Sequence, residues 1–200
     1  MLTLYDREAS GNAYKARLLL SFLDVPYERI PVPMKDGKNQ VDESYLQLNP
    51  RGQIPTIQDG ELSLWGSTAI LCYLASRYDD TARWLPRDPA QLGRVMQWLE
   101  LAQNEIQTGL FRARTIVHFG LAGDLEAAHQ TARQALGVLE ARLGREPWLA
   151  GPDPTVADIA CFPYVALAKQ GDVDTSPYVG VQRWVADFMA LDRFVGMPGI

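Results

Sequence analysis

The sequence predicts an α/β unit followed by an all-helical unit, and three observations carry that prediction. Short strand-like runs alternate with helical runs over the first third of the chain. The Asp59-Gly60 dipeptide between two such runs marks a tight hairpin. Beyond residue 89 only helical periodicity remains. With 200 residues, 47% of them hydrophobic, the chain can build two modest domains, read as 1–78 and 89–200 joined by a polar, proline-containing linker at 79–88.

Taken in order, 2–5 reads as a strand, 12–23 as a helix and 27–32 as a second strand. A short helix over 42–48 stops before Asn49-Pro50-Arg51-Gly52, where proline and glycine prevent its continuation. Residues 55–58 and 62–64 flank the hairpin, and a helix over 67–78 closes the unit. In the second half Leu92, Val95, Met96, Leu99, Ile106 and Leu110 recur at the three-and-four spacing of one buried helical face, as do Leu125, Ala128, Ala132, Leu136, Leu139 and Leu143. A further helix starts at Pro154-Thr155-Val156-Ala157-Asp158, where Thr155 and Asp158 can cap one another's amides. Val181, Trp184, Val185 and Phe188 mark a last amphipathic helix, and 193–200 reads as a tail.

Composition excludes several function classes. A net charge of −5 without a basic patch argues against a phosphate-backbone binder, which needs clustered Lys and Arg. The first residues turn polar too soon for a secretory segment, and no apolar run approaches the roughly 20 residues that span a bilayer, so a cytoplasmic protein with no membrane partner is expected. Cys72 and Cys161 lie in apolar helical contexts and read as reduced core thiols. His118 and His129 stand far apart without ligand-spaced partners, so no metal site is expected.

Three blocks carry a resemblance: Ser10-Gly11-Asn12-Ala13-Tyr14-Lys15, Asn49-Pro50-Arg51-Gly52-Gln53-Ile54-Pro55, and Ser67-Thr68-Ala69-Ile70-Leu71. In order and spacing the chain resembles the bacterial, serine-type (theta- and nu-like) cytosolic glutathione transferases. The Pro154-to-Asp158 segment extends the likeness into the second half. The resemblance implies a thioredoxin-like N-terminal domain, an all-α C-terminal domain, glutathione as co-substrate, a role in detoxification and a homodimer.

The chemistry such a protein performs starts from a thiol with a pKa near 8.5, of which only a few per cent is thiolate at neutral pH. A hydroxyl donor and the positive end of a helix both favour the anion. Ser10 stands between the first strand and the first helix, where both are at hand. On residue type alone it is equally a helix cap; the resemblance implies that its hydroxyl donates to the glutathione sulfur, with Asn12 supporting the same turn. It further implies a cis Pro55, backbone bonding of glutathione by Ile54, a Gln53 contact to the glycyl carboxylate and a Ser67 contact to the γ-glutamyl carboxylate. The chain departs from the family pattern at Gly66, where the family usually has a Glu that pairs with the γ-glutamyl amine. A partner-subunit replacement from the stretch 103–105, preferably Asn104, is the expectation. Phe111, Arg114 and Thr115 are expected beside a small hydrophobic electrophile.

Thiol–disulfide and deglutathionylation chemistry, read as needing a cysteine where Ser10 stands, is rejected, because no cysteine precedes Cys72. Isomerase, dehalogenase, ether-cleaving and peroxidase activities reuse the same thiolate and stay open. So does a different class: a binding or regulatory protein that keeps the fold with weak or no turnover. A Ser/His/Asp hydrolase has no nucleophile-elbow sequence to build on.

Overall fold

The computed structural model describes residues 1–35 and 38–200. Its N-terminal half contains β1 (Leu2–Asp6), α1 (Gly11–Phe22), β2 (Tyr27–Pro31), β3 (Met34–Lys35), β4 (Lys38–Asn39), α2 (Glu43–Leu48), β5 (Thr56–Asp59), β6 (Leu62–Trp65) and α3 (Ser67–Tyr78). The main sheet runs β2-β1-β5-β6, with β1 parallel to β2 and antiparallel to β5. Leu4 and Ile57 pair across β1 and β5 and are fully buried, which fixes which sheet face meets the helices. Helix α1 buries most of its surface, including Ala13, Tyr14, Ala16 and Leu18 to Leu20, because it lies between this half and the helices that follow.

The second half holds α4 (Pro89–Gln103), a π-helical turn (Gln107–Phe111), α5 (Arg112–Val117), α6 (Leu125–Leu143), α7 (Val156–Ala166), a 3-10 turn (Ala168–Gly171) and α8 (Val179–Met189). Asp88, Asp124 and Thr155 cap α4, α6 and α7 through their side-chain oxygens. The capping box foreseen at Thr155 and Asp158 is present, and the fully buried Asp158 does more than cap. Its carboxylate accepts from the Thr155 amide (2.9 Å) and hydroxyl (3.3 Å), the Leu149 amide (3.1 Å) and Trp184 Nε1 (3.0 Å), tying α7 to α8 and to the segment before it.

Several elements differ from expectation. The short β3–β4 ribbon has too few residues to show periodicity and was not foreseen. Asp59 pairs with Leu62, so the hairpin turn is Gly60-Glu61, one residue further on than the Asp59-Gly60 signal suggests. The stripe running from Leu92 to Leu110 does not lie on one helix: α4 ends at Gln103, and the chain re-enters helix through the π-turn. Val95, Leu99, Ile106 and Leu110 are buried, whereas Met96 is 49% exposed and lines a groove between α3 and α4. Cys161 is a buried core thiol, but Cys72 is only half-buried on the same groove.

Candidate active site

A cleft of about 480 Å³ opens where the two halves meet. One wall comes from the β1–α1 connection (Arg7, Ala9, Ser10, Gly11, Asn12), the β3–β4 ribbon and the turn Arg51-Gly52-Gln53-Ile54; the other from Gln107 and Phe111 of the π-turn, Arg114 of α5, Phe119 and Tyr164 of α7.

Ser10 caps α1, and its Oγ accepts the Ala13 amide at 3.3 Å. A hydroxyl that accepts in this way keeps its own proton free to donate. The first amides of α1 point the same way and add the positive end of the helix dipole. Asn12 stands one step along, and its Oδ1 is buried with no hydrogen-bond partner among the described residues; Gln107 Oε1 across the cleft is in the same condition. Buried acceptors left unmade cost about 1–3 kcal/mol each, so both are prepared for donors from a ligand.

The turn before β5 is held from beneath. Asn49, 1% exposed, donates from Nδ2 to the Gln53 carbonyl (2.7 Å) and to Thr56 Oγ1 (2.9 Å), and Tyr45 donates from its hydroxyl to the same carbonyl (2.6 Å). The Ile54–Pro55 bond is cis. Asn39 of the ribbon joins the two sides of this wall, accepting from Arg7 Nη1 (2.8 Å) and donating to the Gly52 carbonyl (2.9 Å).

Of the residues singled out from the sequence, Ser10, Asn12, Gln53, Ile54, Phe111 and Arg114 come together on this cleft. Thr115 does not: it is buried, and its hydroxyl donates to the Arg112 carbonyl within its own helix. Ser67, 5% exposed at the first turn of α3, does not line the cleft, and it accepts from Gln103 Nε2 at 3.4 Å. Asn104 is the exposed C-cap of α4 and is likewise outside the cleft in a single chain. Sequence reasoning missed Arg7, Asn39 and Tyr164. Arg7 carried a local signal, three residues before Ser10, whose amide donates to the Arg7 carbonyl at 2.9 Å. Asn39 and Tyr164 arrive only through tertiary packing.

Charge is distributed unevenly. Among the described residues the cleft lining contains Arg7, Lys38, Arg51 and Arg114 and no carboxylate. Behind it, Lys15 is fully buried with its Nζ unpartnered and 5.4 Å from the Tyr164 ring centroid; burial lowers its pKa to about 8. Among the described residues no group of three or more His, Cys, Asp or Glu side chains could hold a metal ion, and no helix is long and apolar enough to cross a membrane.

The fold and this cleft define a class. Residues 1–76 match the glutathione S-transferase N-terminal domain and residues 82–187 the glutathione S-transferase C-terminal domain, so the chain belongs to the glutathione transferase family. Its relatives include glutathione S-transferase GstB of Escherichia coli K12, 30% identical over 190 residues that cover 92% of this chain and 91% of GstB. The disulfide-bond oxidoreductase YfcG of the same organism is 30% identical over 186 residues, covering 86% of this chain and 85% of YfcG. Among solved structures, a glutathione S-transferase from Pseudomonas fluorescens Pf-5 superposes with a TM-score of 0.90 at 34% identity and 98% coverage of both chains.

Proposed function

We propose that this enzyme binds glutathione in the cleft, that the Ser10 hydroxyl and the N-terminus of α1 stabilise its thiolate, and that the thiolate attacks an electrophilic carbon held against Phe111 and Arg114. One observation supports this above the others: Ser10 Oγ is already engaged as an acceptor by Ala13, which leaves its own proton free to donate at the helix N-terminus. Asn12 Oδ1, Gln107 Oε1 and the acid-free lining fit a ligand that brings N–H donors and carboxylates. The protein's contribution is orientation and electrostatic preorganisation. Gln53, Ile54, Pro55 and Ser67 are proposed as glutathione contacts, with 79–88 as the linker between the two working halves. We also propose the serine-type subclass, a cytoplasmic location and a homodimer in which a second copy covers the groove exposing Met96, the arrangement needed if Asn104 is to reach a neighbouring site.

Isothermal titration with glutathione tests the reading. Binding at millimolar strength or better, with conjugation of a chloronitroarene, supports it; absence of binding at millimolar glutathione contradicts it and favours a binding protein that has kept the fold. A second reading takes support from the likeness to YfcG: the glutathione thiolate could attack a disulfide sulfur instead, which requires no protein cysteine.

Gly66 gives a sharper expectation. It occupies the N-cap of α3 at φ +90°, a conformation that favours glycine, and a Cβ built there meets nothing within 4 Å. Gly66→Glu is therefore expected to act in two directions. Strain at the backbone should lower stability by about 1–3 kcal/mol, while a restored carboxylate beside the γ-glutamyl amine should tighten glutathione binding roughly ten- to a hundredfold. Thermal denaturation and titration of the same preparation check both; a variant with unchanged affinity refutes the second.

A further inference from the structure

Arg7 and Arg114 approach the sulfur end of the cleft from opposite walls, and neither has a carboxylate within 4 Å among the described residues. Arg114 is 2% exposed; its Nε donates to Gln170 Oε1 (2.6 Å) and its Nη1 to the carbonyl of Ala9 (3.0 Å), the residue before Ser10. Arg7 donates to Asn39 through Nη1, and its buried Nε has no partner. Of the two acids that flank Arg7 in sequence, Asp6 pairs through Oδ2 with Arg17 and Arg29 and leaves its buried Oδ1 unbonded, and neither Asp6 nor the exposed Glu8 forms an ion pair with Arg7. Burial lowers the pKa of both arginines, but a guanidinium stays charged at neutral pH. Buried cations are ordinarily paired, so the buried Arg114 and the half-buried Arg7, both without a counter-ion in one cleft, leave a place for an anion.

Tyr164 adds a third donor at the same spot. Its ring lies so close to Gly11 that a Cβ there would fall 2.6 Å from Cε1 and 3.2 Å from the hydroxyl oxygen, which places the phenol against the start of α1. Burial raises its pKa, opposed by the Arg114 charge, the Asn12 amide and the Arg7 charge. That hydroxyl donates to no acceptor among the described residues. Phe111 packs on the ring at 5.0 Å and fixes its orientation.

We propose that the electrophile is itself an anion, a small molecule bearing a carboxylate near its reactive carbon, and that Arg7 and Arg114 hold this carboxylate while the Tyr164 hydroxyl orients it. The proposal rests on the glutathione-transferase reading and adds the substrate class. Lys38 and Arg51, on the ribbon and the Gln53 turn, remain available to the carboxylates of glutathione. The field of an acid-free cleft also raises the local concentration of an anionic substrate.

The probes are 2-chloro-5-nitrobenzoate and its uncharged counterpart 2-chloro-5-nitrobenzamide. In both, the thiolate sulfur forms a bond to the chlorine-bearing carbon, the C–Cl bond breaks, chloride leaves with its electron pair, and the thiol proton passes to solvent. Each kcat/KM is divided by the uncatalysed rate with glutathione. The wild-type enzyme is expected to favour the carboxylate by about tenfold or more, the scale of one charge-assisted contact. Arg7→Gln should bring that ratio close to unity with the KM for glutathione little changed, Arg7→Lys should restore much of it, and Tyr164→Phe should reduce it while keeping the fold. Equal use of the two probes overturns the proposal and leaves the transferase reading standing. A raised KM for glutathione in Arg7→Gln with an unchanged ratio also overturns it, placing Arg7 on glutathione. Failure of the wild type to bind glutathione overturns both readings.

Discussion

Ser10→Ala is expected to lower kcat/KM for glutathione conjugation about 10²- to 10³-fold, the cost of removing one preorganised donor from a developing or resident anion. The same change removes the α1 cap, in which Ser10 Oγ accepts the Ala13 amide, at a cost of about 0.5–2 kcal/mol. The two roles separate experimentally. Ser10→Gly loses the hydroxyl but sacrifices only a few tenths of a kcal/mol at a cap, so its activity should fall with Ser10→Ala while its melting point stays nearer wild type. The ascending limb of the pH profile of kcat/KM should also move to higher pH in both variants, since the thiol must lose its proton with less help. Activity that tracks the melting point across the two variants, with an unmoved pH limb, would show that Ser10 only caps.

Asp158→Ala is the largest stability change expected. The carboxylate accepts from four donors in a site with no solvent exposure, and alanine leaves them all unpaired. A loss of about 3–5 kcal/mol follows, the range for stripping one partner from a buried charged network, and chemical denaturation would register it as a lower midpoint. The same group carries a pH dependence. Burial, outweighing the Thr155 and Leu149 amides, the Trp184 indole and the Thr155 hydroxyl, raises its pKa to about 6. The unfolded value is near 3.9, so the folded chain binds this proton more tightly. The stability it contributes is fully present below about pH 4 and is lost as pH rises through about 6. Between pH 4 and 7 this component should be missing from the denaturation midpoints of Asp158→Asn.

Much of this architecture is legible in the sequence because it is written in local chemistry. Helix α1 follows from a cap and a run of apolar residues, the β5–β6 hairpin from a glycine turn, and α7 from Thr155 and Asp158 three residues apart. What escapes depends on distance in sequence. The β3–β4 ribbon is two residues per strand, and the break after Gln103 falls inside an apolar stripe that reads as continuous. The site divides the same way. Ser10 and Asn12, or Gln53 and Ile54, sit on single turns whose residues announce them. Tyr164 reaches the start of α1 only because α7 packs on α1 at Gly11, and nothing around Tyr164 in the chain signals that contact. Ser67 divides in the same way: its place at a helix start is legible, whereas its contact with Gln103 Nε2 on α4 comes only from packing.

The state of the bound sulfur decides the proposed mechanism, and it is read by titrating the glutathione thiol in complex with the wild-type enzyme, following thiolate absorbance near 240 nm. A hydroxyl donor acting with a helix N-terminus should bring the bound thiol about one to two units below its free value near 8.5, which corresponds to about 1.4–2.8 kcal/mol of preference for the anion. A bound thiol that titrates like free glutathione would show that Ser10 and α1 do not stabilise the thiolate.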